Sequence, residues 1–79
     1  MTIHPARYRV SLRFTPPDGP AVTGYWDDRA TAERKWRMDI GAYGSHETAL
    51  ITLSECLEDG SWRVVADWTR DAGERRPSL

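Results

Sequence analysis

In the stretch RYRVSLRF, Tyr8, Val10, Leu12 and Phe14 occupy one parity, while Arg7, Arg9, Ser11 and Arg13 occupy the other. Strict period-two alternation predicts a strand with one buried and one wet face. TPPDGP follows, with three prolines, an Asp and a Gly in six positions. That is turn chemistry, and Pro-Asp-Gly suits a type I or II turn. A shorter strand is expected in AVTGYW, where Val22, Gly24 and Trp26 share the buried side and Tyr25 turns outward. The first part of the chain therefore reads as a β-hairpin with a long loop.

The period then changes. Ala32, Trp36, Ile40 and Tyr43 follow the i, i+4, i+8, i+11 spacing of one apolar helical stripe. Asp27 and Asp28 stand just ahead of it, where a carboxylate accepts hydrogen bonds from the first free backbone N–H groups. The opposite side carries Arg29, Glu33 and Arg37 four apart, and Lys35 and Asp39 form another such pair. A helix over about residues 28–43 is predicted, ending at Gly44 in a left-handed position, because stopping at Gly41 would take Tyr43 off the stripe.

Beyond Ser45 and His46, Ala49, Ile51, Leu53 and Leu57 share one parity, interrupted by Glu55. EDGS holds an Asp-Gly pair, a strong hairpin turn. WRVVADWTR returns as a strand, with Trp62, Val64, Ala66 and Trp68 assigned to the core and Arg63, Val65, Asp67 and Thr69 to the outside. DAGERRPSL has no apolar periodicity. The predicted organisation is a flexible N-terminus over 1–6, one domain over 7–70 and a mobile tail over 71–79.

Strand, strand, helix, strand, strand implies a two-layer α+β fold, ββαββ, with one helix on one face of a four-stranded antiparallel sheet. A crossover that lays the third strand beside the first makes the sheet order 2-1-3-4.

Composition narrows the class. A chain of 79 residues, 39% hydrophobic and 29% charged, is a single small globular domain. Four Trp, three Tyr and one Phe must supply much of its core, since each ring buries roughly 150–250 Å². One cysteine, Cys56, excludes an intrachain disulfide and a C-x-x-C pair, which suits a reducing compartment. No apolar leader and no long apolar run is present, so the expectation is a soluble, cytoplasmic protein without a membrane partner. The net charge of −1 marks neither a strongly basic nucleic-acid binder nor an acidic DNA mimic. Any charged site must come from local segregation.

GYWDDRATAERKWRMDIGAYG, set between a hairpin and a strand pair ending in DGSWRVVADW, resembles short proteins of phages, plasmids and integrative elements of actinobacteria. In those proteins an aromatic residue and an Asp precede an A-E-x-x-W helix, as Trp26, Asp27 and Ala32 to Trp36 do here. The resemblance spans residues 7–69. It implies the same ββαββ fold and an accessory gene, and it carries over no functional residue.

Catalytic chemistry finds no constellation in the sequence. His4 falls near the terminus, His46 lies in a loop, and Cys56 is flanked by the acids Glu55 and Glu58, which marks it as an inert thiol rather than a nucleophile. The isolated glycines make no phosphate loop, and two His and one Cys lack ligand spacing. No enzyme activity, cofactor or metal is expected.

The legible candidate is the open sheet face. Arg7, Arg9, Arg13 and Arg63 are expected there with Tyr25, beside Asp67, Leu50 and Val65, a surplus of three positive charges on a chain of net −1. The leading expectation is a small accessory protein acting through contact with an unknown protein or with its own copy, since Tyr and Arg favour such surfaces. The alternative is nucleic-acid binding, with arginines on phosphates and Tyr25 available to stack. An antiparallel sheet also tolerates a merely solvated face, on which arginine stems cover backbone.

Overall fold

The computed structural model describes residues 7–16 and 19–77. The expectations for 1–6, including His4, for Pro17 and Asp18 of the first turn, and for 78–79 lie outside the described residues.

The chain runs β1 (Tyr8–Arg13), β2 (Ala21–Trp26), α1 (Arg29–Tyr43), β3 (Leu50–Cys56), β4 (Trp62–Thr69) and β5 (Gly73–Arg75). All strand pairs are antiparallel, and the order is β2-β1-β3-β4-β5. The α+β class and the 2-1-3-4 order of the first four strands agree with the sequence reading. The four-strand expectation needs correction, because a fifth strand pairs Asp67, Trp68 and Thr69 with Arg75, Glu74 and Gly73. It falls in the stretch read as a tail. Periodicity missed it because three polar residues carry no apolar alternation, and charge holds them instead.

Arg75 donates to both carboxylate oxygens of Asp67, at 2.9 and 3.3 Å. Glu74 meets Arg37 of the helix at 3.6 Å, and Arg76 reaches Glu33 at 3.2 Å. Arg37 is thus drawn away from the intrahelical Glu33 partner that its spacing suggested. Lys35 and Asp39 do pair, at 3.6 Å.

Asp28 is the helix N-cap. Its Oδ2 accepts from the Thr31 backbone N–H at 2.8 Å and from the Thr31 hydroxyl at 2.9 Å, and these bonds hold its carboxyl below the usual range. The helix ends at Tyr43 as expected, but Gly44 adopts right-handed geometry, φ −65°. A close approach explains the glycine. A Cβ there would lie 2.8 Å from Trp68 Nε1, and that indole donates to the Gly44 carbonyl at 3.0 Å.

One face of the sheet takes the helix. Val10, Leu12, Ile51, Leu53 and Ala66 close over Ala32 and Trp36, and Trp36 has no exposed surface. Its indole N–H donates to the Ile51 carbonyl at 3.0 Å, so burial leaves no polar atom unpaired. Truncating a buried Trp to Ala costs about 3–5 kcal/mol.

The second hairpin breaks the simple alternation. Leu53 stands opposite Ala66, but the next residue, Ser54, stands opposite Val64, so Val65 is an extra residue in β4. This β-bulge reverses the side on which every earlier β4 residue points. Val65 packs against the core, and Arg63 follows Glu55 to the helix side and pairs with it. Trp62 and Val64 turn to the open face. The sequence expectation had Trp62 in the core and Arg63 outside, and the bulge exchanges them.

Candidate binding face

The face away from the helix is organised in rows that follow strand register. Tyr25, Arg9, Ser54 and Val64 form one row, and Thr23, Ser11, Thr52 and Asp67 form the next. Ser11 and Thr23 hydroxyls lie 3.4 Å apart. The Arg9 guanidinium sits over the Trp62 ring, 4.5 Å from its centroid, and Tyr25 lies 6.0 Å from the same ring at an interplanar angle of 56°. Both distances fall within the range of cation–π and tilted aromatic contacts. Ser54, between Arg9 and Val64 in its row, is only 2% exposed, whereas Tyr25 keeps 54% of its surface.

Three expected site residues therefore share this face by alternation, namely Arg9, Arg13 and Tyr25, with Arg7 on the same parity just before β1. Arg63 does not join them. The sequence reading missed Trp62, and two signs of it were present. Val64, Val65 and Ala66 are a continuous apolar run inside an otherwise alternating strand, and Glu55 on the core parity of β3 calls for a cation opposite, which is Arg63. Arg75 is the other addition, committed to Asp67.

Most cations away from the face are paired. Arg29, Lys35, Arg37, Arg63, Arg70, Arg75 and Arg76 each stand within 4.0 Å of a carboxylate. Among the described residues Arg7, Arg9 and Arg13, and Arg34 on the helix, make no such pair, so three of the four unpaired cations lie along β1. Arg13 donates to the Gly19 carbonyl, which leaves its charge uncompensated. The Arg9 Nε is enclosed without a hydrogen-bond partner, so an indole face, rather than an acid, holds this guanidinium. A row of arginines without acids beside two aromatic rings can bind an anion that also offers flat apolar surface.

A second hollow, of about 220 Å³, is lined by Arg29, Glu55, Arg63, Val64, Val65, Arg76 and Pro77. Its three arginines are already matched by Glu33 and Glu55, so it offers an anion much less than β1 does. No helix among the described residues is long and apolar enough to cross a membrane. No family model, curated protein or solved structure matches the chain.

Proposed function

We propose that this chain is a small non-enzymatic accessory protein that binds single-stranded nucleic acid on its open sheet face. The observation that supports the reading is the line of Arg7, Arg9 and Arg13, without acidic partners among the described residues, beside Tyr25 and Trp62. Phosphates would meet the arginines, and a base would stack on the exposed Tyr25 ring, a contact worth about 1–3 kcal/mol per base. Ser11, Thr23 and Thr52 hydroxyls on the same face add donors and acceptors. The resemblance to proteins of mobile elements fits an accessory role.

Contact with another protein through the same face is the second reading. It draws on Val64, 40% exposed, and on the residue types of the cluster, since Trp, Tyr and Arg dominate protein hot spots. Pairing of this face with its own copy is disfavoured, because the unneutralised arginines of one chain would oppose those of the other.

Fluorescence anisotropy with labelled single- and double-stranded DNA separates these readings. The expected result is binding of the single strand that weakens with salt, with a slope of about 0.7 per arginine–phosphate contact. The Arg9→Ala/Arg13→Ala variant should lose most of it, and Tyr25→Ala should weaken it without changing the slope. Absence of binding at low salt, or binding indifferent to both variants, would sink the proposal.

A further inference from the structure

We infer that β2 pairs with β2 of a second copy of this chain, antiparallel about a two-fold axis normal to the sheet. Two five-stranded sheets thereby become one continuous sheet of ten. The contact is the backbone edge of β2 rather than the open face, although Thr23 and Tyr25 border both, and neither proposal depends on the other.

β2 is an outermost strand of the sheet, so its outward N–H and C=O groups form a template for another strand. Natural edges are blunted by charge, proline, bulges or shortness. β2 has none of these within its six residues, AVTGYW. Its register with β1 runs without interruption from Ala21 to Trp26. Ala21, Val22 and Thr23 are exposed, and Val22 keeps 71% of its surface although its parity points to the helix side. An apolar side chain on the core side of a sheet, left that open at the edge, lacks the covering its neighbours have.

What surrounds Val22 supports a partner like itself. On the helix side a hollow of about 270 Å³ opens against β2, with Phe14, Val22, Trp26 and Tyr43 among its lining residues. Trp26 folds back along its own strand onto Gly24, where a Cβ would fall 2.3 Å from the ring. With Gly24 at the axis, Val22 of each copy stands opposite Trp26 of the other on the helix side, and Thr23 opposite Tyr25 on the open side. Aromatic and β-branched residues opposite one another are favourable cross-strand pairs. An isologous contact of this kind closes on itself and stops at two copies. The opposite edge is blunted more heavily, since β5 has three residues, two of them charged, and β4 carries the bulge, whereas Pro20 and Asp27 stand just outside the paired residues of β2.

Sedimentation or light scattering over a concentration series tests the inference. The wild-type chain should weigh twice its 9.0 kDa, and Val22→Lys should weaken association by about tenfold or more. Val22 is exposed, so the variant should keep its circular dichroism and remain folded. Val64→Lys, on the open face, should associate as the wild type does. Amide exchange over 21–26 should slow as concentration rises. A wild-type chain that stays at 9.0 kDa up to about 1 mM, the weak limit of specific association, overturns the inference. A dimer broken by Val64→Lys and untouched by Val22→Lys overturns it as well.

Discussion

The two ends of the sheet solve the same problem differently. At one end β2 keeps strict alternation, carries no charge and presents a straight edge. At the other, β4 is interrupted by the Val65 bulge, and part of its edge is covered by the short, charged β5. Bulges and charged short strands are established ways of discouraging edge pairing. A chain that protects one edge by two devices and leaves the other plain has one edge fit for a partner. The difference also builds the binding face, since the bulge that roughens the β4 edge is what turns Trp62 towards Arg9.

The comparison breaks most visibly at the bulge. Deleting Val65 removes the extra residue and leaves Val64, Arg63 and Trp62 opposite Ser54, Glu55 and Cys56, so the Arg63–Glu55 pair and the open side of Trp62 should survive and only the packing of Val65 should be lost. The missing Val65 side chain should cost about 1.5–3 kcal/mol in urea unfolding. A deletion variant of wild-type stability would show that Val65 adds nothing to the core, and one that lost the Arg63–Glu55 pair would show that the register of β3 and β4 is not fixed by their other pairs.

A smaller effect is expected at the plain end. In Gly24→Val the new side chain must displace the Trp26 ring, at an expected cost of about 1–3 kcal/mol. The same change disturbs the proposed two-fold contact, so association should fall in parallel. Retained association with lowered stability would separate the Trp26 shelf from the dimer.

The smallest effect belongs to the ion pairs of β5. Arg76, and to a lesser degree Arg37, holds the Glu74 carboxyl below its ordinary value. A carboxylate whose folded value is depressed contributes stability that is present above its unfolded value and disappears as pH falls through the folded one. Glu74→Gln should therefore flatten the acid limb of a thermal-melt series slightly and leave neutral-pH stability almost unchanged, because exposed pairs are weak and screened. A larger loss at acid pH than at neutral pH would reverse this sign and remove the charge account of β5.

Much of the architecture was legible in the chain because two periods separate cleanly. Tyr8 to Phe14 alternate, Ala32 to Tyr43 step by three and four, and each pattern survives because one side of the element is buried. The cap at Asp28 and the turn at Asp59-Gly60, where Gly60 takes φ 89°, were legible for local reasons, since their hydrogen bonds and dihedrals involve neighbours in sequence. The site was half legible. Arg7, Arg9, Arg13 and Tyr25 follow from parity alone, whereas Arg63 and Trp62 were assigned to the wrong sides.

By itself the sequence determined the class of fold, the helix with its cap and the arginine side of β1, while the strand order needed the structure. Tertiary structure alone decided the fifth strand, the bulge and the Arg9–Trp62–Tyr25 cluster. The reason is the range of the forces involved. Alternation and capping are written in residues that touch along the chain, but a bulge is a mismatch between two strands, and Glu74 finds Arg37 only after the helix has been laid on the sheet. How β4 absorbs one extra residue, as a bulge at Val65, then decides which ring the arginines meet.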